Sequence, residues 1–292
     1  MKVAVTGATG FVGRHVVAEL ERLSISPVLV CRPSLVCRPP GDKPPSFSRH
    51  VVAPVDLRHA PAAVFDLMGQ PDVLIHLAWG GLPNYSSLVH FEEELPAQYS
   101  FLKRMVESGL RNLLVTGTCL EYGMQSGPLC EDLDTRPTTP YGFAKDTLRR
   151  QLEYLGQSTP FKLTWARLFY LHGEGQACNS LLPQLKTAVE RGDRVFNMSG
   201  GEQLRDYLPV TVLARQLVGL AITSHDHGIV NTCSGTPVSV RTMVEQWVRD
   251  NGWNIDLNFG FYPYPAYEPM AFWGDRAKLN RCLGSADEVR LQ

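Results

Sequence analysis

Two groups of residues in this 292-residue chain have the types and the spacing to do chemistry. The first is Tyr141-Gly-Phe-Ala-Lys145, a phenol and an amine that share one face if the segment is helical. An ammonium beside a phenol favours the phenolate and lowers its pKa from about 10; bringing it near neutrality takes roughly 4 kcal/mol. Such a tyrosine exchanges a proton with a carbonyl or an alcohol at physiological pH. A tyrosine and a lysine at this spacing recur by chance, as a surface pair in solvent. Here the pair opens a helix behind Pro140, and a strand ending Thr116-Gly117-Thr118 lies upstream with a hydroxyl to set beside the phenol. The second group is the turn Gly7-Ala-Thr-Gly10-Phe-Val-Gly13, directly between a strand and a helix. Glycines let backbone amides approach a pyrophosphate, and the helix presents free N–H groups and a positive dipole end to it. Gly7, Thr9, Gly10, Phe11, Val12 and Gly13 are therefore expected at a dinucleotide.

The cofactor's identity turns on the end of the second strand. A carboxylate there would bind the adenosine ribose hydroxyls and favour NAD. The strand ends instead Val30-Cys31-Arg32, and a guanidinium matches a ribose phosphate. This predicts NADP(H), with NAD(H) as the alternative. Arg38 is a weaker candidate for the same role, in a segment where Leu29-Val-Cys-Arg-Pro33 recurs as Leu35-Val-Cys-Arg-Pro39; the duplication reads as a tandem insertion in a surface loop. Asp56 and Leu57 follow the third strand and could contact adenine, although Asp56 equally suits a helix cap.

The elements that must position these groups alternate. Strands are predicted at 2–6, 28–31, 51–55, 73–77, 113–116 and 163–168, a loop at 32–48, and helices after the glycine turn, at 95–108 and at 140–155 with Thr139 as N-cap and Pro140 in the first turn. This pattern implies an α/β fold, a Rossmann-type doubly wound parallel sheet. Residues 1–170 are assigned to it. Residues 171–292, richer in Gly, Pro and aromatics, are read mostly as a smaller C-terminal substrate-binding lobe with segments returning to the Rossmann core.

Bulk properties exclude several classes. The net charge of -1 provides no field for nucleic acid or an anionic membrane. No apolar run approaches the roughly 20 residues of a membrane span, and the N-terminus lacks the apolar stretch of a signal peptide. The seven cysteines are odd in number and form no Cys-x-x-Cys pair, so free thiols in a cytoplasmic setting are expected. His225-Asp-His227 lacks a third ligand, and no metal is expected.

The chain resembles the extended short-chain dehydrogenase/reductases, the NAD-dependent epimerase/dehydratase family. The resemblance covers about residues 1–280 and rests on TGATGFVG at 6–13, DVLIHLAW at 72–79, LLVTGTCLEYG at 113–123, PYGFAK at 140–145, ARLFYLHGEGQ at 166–176 and RDYLPV at 205–210. It implies that Tyr141 is the acid/base, that Lys145 holds the nicotinamide ribose, and that Thr118, four residues before Tyr122, is the catalytic hydroxyl. It further implies Leu77 and Ala78 at the cofactor, Arg205 and Asn179 at a sugar-nucleotide diphosphate, and a homodimer through the helix carrying the tyrosine. Four positions depart from the pattern. Cys119 and Leu120 replace the acidic pair that dehydratases need, so dehydration is not expected. Glu94 stands where many members carry Asn. Trp79 replaces a small residue and is assigned to the sugar pocket.

The reaction expected is NADPH-dependent reduction of the C4 keto group of a nucleotide-linked, dTDP-type 4-keto-6-deoxyhexose, because the HLAWGGLPNY and GTCLEYG stretches resemble such 4-reductases. The alternative is an NAD-dependent nucleotide-sugar 4-epimerase. A non-catalytic dinucleotide sensor ranks below both, because such proteins often lose the tyrosine or the lysine.

Overall fold

The computed structural model describes residues 1–37, 44–223 and 225–284. Arg38 lies outside the described residues, as does the end of the duplicated segment. Seven strands form the main sheet: β1 (Val3–Thr6), β2 (Val28–Cys31), β3 (Val52–Pro54), β4 (Val73–His76), β5 (Asn112–Thr118), β6 (Lys162–Leu168) and β7 (Gly228–Thr232). Their order is β7-β6-β5-β4-β1-β2-β3, with every neighbouring pair parallel. The order reverses between β1 and β4, which opens a crevice at the carboxyl edge of the sheet, where such folds bind ligands.

Strand side chains alternate, and both faces are covered, so the strands read as nearly continuous apolar runs. Ala4, Leu74, Leu113 and Val115 pack on one side with α2 (Leu95–Glu107) and α3 (Pro140–Ser158), through Phe101, Leu102, Met105, Ala144 and Leu148. Val3, Val5, Ile75 and Leu114 pack on the other with α1 (Phe11–Arg22) and α4 (Val210–Ile222), through Val16, Leu20, Leu213 and Leu217. Helix α3 starts where the sequence indicates: Thr139 accepts the Gly142 amide at 3.1 Å, and Pro140 occupies the first turn, where its missing N–H leaves no bond unmade. The expected loop at 32–48 is not wholly irregular. Pro33–Val36 is a helical turn and Pro45–Ser48 a 3-10 turn, each opened by a proline whose fixed φ suits a first helical position.

Among the described residues, three small sheets lie outside the main one. Tyr170–His172, Leu204–Pro209 and Pro237–Ser239 form the largest. Val195–Asn197 pairs with Asp256–Asn258, and Gly127–Leu129 with Phe272–Gly274. Among the described residues no helix is long and apolar enough to cross a membrane.

One polar knot ties β1 to β4 beneath the crevice. Thr6 Oγ1 accepts the amides of Leu77 (3.2 Å) and Ala78 (3.3 Å) and lies 2.9 Å from His76 Nδ1. With its lone pairs taken by the two amides, the Thr6 hydroxyl donates to Nδ1. Burial, reinforced by the Lys145 charge, lowers the His76 pKa to about 3, so the ring is neutral. The unfolded chain takes up this proton near pH 6.5 and the folded chain does not. Stability is therefore lost as pH falls from about 6.5 towards 3, by up to about 1.4 kcal/mol per pH unit from this group. Urea unfolding of the protein and of His76→Gln between pH 6.5 and 4 should show a shallower loss in the variant; parallel curves would contradict the assignment.

Candidate active site

The glycine turn is shaped for a close approach. Gly7 has φ +69°, and a Cβ there would meet the Ala78 amide nitrogen at 2.9 Å. A Cβ on Gly13 would run into the Gly7 carbonyl, so helix α1 can press onto the turn only because Gly13 has none. Gly10 caps α1 without a side-chain bond, so no capping side chain occupies the first amides of the helix. These features fit a dinucleotide's pyrophosphate; Thr9, Phe11 and Val12 of the same turn are half-buried.

Tyr141 and Lys145 meet at the carboxyl edge of β5. Both are buried, Lys145 at 2% exposure and Tyr141 at 8%. Lys145 Nζ donates to the Thr116 carbonyl at 2.8 Å and stands 4.0 Å from the centre of the Trp79 ring and 5.9 Å from that of Tyr141. Tyr141 is enclosed by aromatic rings: Trp79 at 6.0 Å, Tyr85 at 5.5 Å and His90 at 5.2 Å. The Tyr141 amide donates to the Tyr85 carbonyl at 3.1 Å, tying the helix start to the segment after β4.

The electrostatics differ from the expectation that Lys145 pulls the phenol down. Burial pushes the Tyr141 phenol well above its usual range, helped by Tyr85, Glu121 and Cys119. The same burial brings Lys145 down to about 7, against the opposing pull of Glu121 and Glu94. Spacing along a helix sets proximity, but the dry surroundings penalise both charged forms and win. In this state the phenol is neutral and equipped to donate a proton.

Thr118 ends β5 on the same face as Thr116, and its Oγ1 accepts the Leu120 amide at 3.3 Å. The turn behind it is set by Glu121, fully buried, which accepts the Thr118 amide (2.8 Å), the Trp165 indole (3.0 Å) and Arg167 Nε (2.7 Å). A carboxylate so engaged holds the turn.

The other expected residues are distributed as follows. Arg32 is exposed at the end of β2. Asp56 caps a 3-10 turn, accepting the Arg58 amide (3.1 Å) and lying 2.9 Å from His59 Nδ1; Leu57 packs half-buried against the core. Trp79 faces Lys145. Asn179 is exposed in the turn before the helix Leu181–Glu190. Arg205 is buried and pairs with Glu268 (3.0 Å) rather than with its neighbour Asp206, and it also donates to the Leu204 (2.9 Å) and Met270 (3.3 Å) carbonyls. Asp206 instead accepts the amides of Ser234, Gly235 and Gly274. Glu94 is buried and accepts Arg58 (2.5 Å), the Gly80 amide (2.9 Å) and Gln98 (3.0 Å). Burial pushes its carboxyl up, but these donors together outweigh that and hold it below the usual range.

Sequence reasoning missed His90 and Tyr85. The signal for His90 was Trp79: a buried indole N–H needs an acceptor, and His90 Nδ1 supplies it at 3.1 Å.

The parallel order reversing at β1 and β4, the glycine turn beneath α1 and the buried Tyr-Lys pair at the same edge define a Rossmann-type short-chain dehydrogenase/reductase. The chain belongs to the NAD dependent epimerase/dehydratase family, whose profile matches residues 3–231. It is 30% identical over 281 residues to a dTDP-6-deoxy-L-talose 4-dehydrogenase (NAD(+)) of Aggregatibacter actinomycetemcomitans, covering 94% of this chain and 99% of that one. It is 26% identical over 317 residues to a UDP-glucose 4-epimerase of Corynebacterium glutamicum, covering 99% and 91%. The solved structure of MoeE5 in complex with UDP-glucuronic acid and NAD superposes with a TM-score of 0.81 at 26% identity, over 97% and 93%.

Glu121 and Arg167 are 0% and 1% exposed at their side chains. Glu121→Gln leaves the Arg167 charge buried without its counter-ion. It should destabilise the protein by about 3–5 kcal/mol in urea unfolding; a change under about 1 kcal/mol would show that the pair does not hold the turn.

Proposed function

We propose that this protein moves a hydride between a nicotinamide dinucleotide and C4 of a dTDP-linked 6-deoxyhexose. The observation that carries the reading is the buried Tyr141-Lys145 pair at the crevice beside the glycine turn. The relative named as a dTDP-6-deoxy-L-talose 4-dehydrogenase supports the substrate class. Oxidising that C4 hydroxyl is the reverse of the C4 keto reduction expected from the sequence, so both describe one reaction run in opposite directions.

When bound, the nicotinamide supplies or takes up the hydride. Tyr141 donates its phenol proton to the C4 oxygen on reduction and recovers it on oxidation. Thr118 offers a second hydroxyl from the end of β5 to the charge developing on that oxygen. The Lys145 ammonium, held at the Thr116 carbonyl, stabilises the phenolate left behind and would hold the nicotinamide ribose. Arg205 faces the diphosphate with its guanidinium already carrying Glu268, so an arriving diphosphate shares or displaces that carboxylate. Asn179 is the weaker diphosphate contact.

The NAD(+) in that relative's name and the NAD bound to MoeE5 support NAD(H). One observation favours NADP(H) as a second reading: Arg32 is exposed at the end of β2, where the strand-end sequence Val30-Cys31-Arg32 carries no carboxylate. The 4-epimerase alternative draws support from the Corynebacterium relative. The aromatic enclosure of Tyr141 favours a sugar held in one orientation over one that must rotate between two hydride transfers. A sensor role has no support in a site that retains both the tyrosine and the lysine in its buried interior. Helix α3 turns Phe143 and Tyr154, 50% and 71% exposed, outward, which supports self-association through this helix.

Absorbance at the reduced nicotinamide band tests the reading. The protein with dTDP-6-deoxy-L-talose and NAD should generate NADH, and with a dTDP-4-keto-6-deoxyhexose it should consume NADH faster than NADPH. Tyr141→Phe should lower kcat by about 10²–10⁴. No absorbance change in either direction, or a variant that turns over at the wild-type rate, would overturn the reaction or the acid assignment respectively.

A further inference from the structure

Trp79 and His90 form a linked pair on the side of the pocket that faces Lys145. His90 is fully buried and bonded at both ring nitrogens: Trp79 Nε1 lies 3.1 Å from Nδ1, and Nε2 lies 2.7 Å from the Asn84 carbonyl. The directions are dictated by chemistry. An indole N–H only donates, so Nδ1 presents its lone pair; a carbonyl only accepts, so Nε2 carries the proton. These partners hold the His90 ring in one tautomer, Nδ1 accepting and Nε2 donating. The two rings stack at 6.4 Å with their planes 27° apart, which fixes the tilt of the indole. The face of that indole lies 4.0 Å from the Lys145 ammonium. Tryptophan gives the strongest cation–π attraction of the aromatic residues, and the attraction grows when the cation is dry.

We propose that Trp79, oriented by the His90-Asn84 chain, is a positioning residue that holds Lys145 in its ammonium form beneath Tyr141. The proposal rests on the Tyr141-Lys145 reading above and changes the role of Trp79 from a wall of the sugar pocket to a support of the lysine. The ammonium is otherwise faced by the Thr116 carbonyl from β5, Tyr141 from its own helix, neutral His76 from β4, Glu94 before α2 and Glu121 behind β5. Both carboxylates are engaged elsewhere, Glu94 with Arg58 and Glu121 with Arg167. Among the described residues, the Thr116 carbonyl accepts a hydrogen bond from Nζ and the indole face stands closest of the rings to it.

The test is the ionisation of Lys145, followed by NMR of the protein labelled at lysine Cε, with Lys145→Met to assign the resonance. The kcat–pH profile is recorded alongside, and melting curves confirm that each variant is folded. Trp79→Leu removes the π face and should move the Lys145 midpoint, and the alkaline limb of kcat, down by about one pH unit. Trp79→Phe keeps a weaker face, and His90→Phe leaves the indole N–H unpaired and free to reorient. Each should move the midpoint part of the way, and His90→Asn, whose side-chain oxygen replaces the acceptor, should restore it. A midpoint unchanged in Trp79→Leu and Trp79→Phe would overturn the proposal even if activity fell, because a merely structural role lowers activity without moving that midpoint. If Tyr141→Phe instead kept full activity, the catalytic reading would fail on its own, while the lysine titration would still decide the role of Trp79.

Discussion

Desolvation at the carboxyl end of β5 is the constraint on which the rest of the site depends. An ammonium and a phenol are held where almost no water reaches them, and each pays for its charged form in free energy. Lys145 stays there because a backbone carbonyl and an aromatic face replace part of its hydration. Tyr141 stays neutral for the same reason. Proton transfer in such a place is controlled by what enters the crevice, since an arriving ligand changes both the charge and the dryness around the pair.

The fold serves this arrangement at each level. The capped start of α3 aims Tyr141 and Lys145 at the sheet, and Thr116 and Thr118 alternate onto the matching face of β5. Glu121 closes the turn that ends the strand, spending a buried carboxylate on backbone, indole and guanidinium together. On the far side of the switch point, Thr6 ties β1 to the Leu77-Ala78 amides, and the glycine turn then fits against that backbone. The positions of turn and pair are thus coupled through adjacent strands of one rigid sheet.

What could be read from the sequence was local. The glycine turn and the Thr139-Pro140 helix start are written in consecutive residues and appear where expected, and the strands appear with ends displaced by one or two residues, as at Asn112–Thr118. Four-residue spacing also put Tyr141 and Lys145 on one helical face. Their ionisation was misjudged, because spacing carries no information about dielectric surroundings. The partners of Arg205, Arg167 and Trp79 were hidden for a different reason. Glu268 is 63 positions from Arg205, and Glu121 is 46 from Arg167. His90 is 11 positions from Trp79, across a segment with no regular period to follow. Asp56 shows the reverse case: its local capping bond was foreseeable and is present, whereas any adenine contact depends on a ligand.

A crystal structure of the protein grown with NAD(H) tests the central claim most directly. The pyrophosphate should lie on the first amides of α1, and the nicotinamide ribose should come within about 2.6–3.2 Å of Lys145 Nζ and the Tyr141 hydroxyl. A dinucleotide bound elsewhere, or bound in the crevice with either side chain turned away from the nicotinamide, would contradict it.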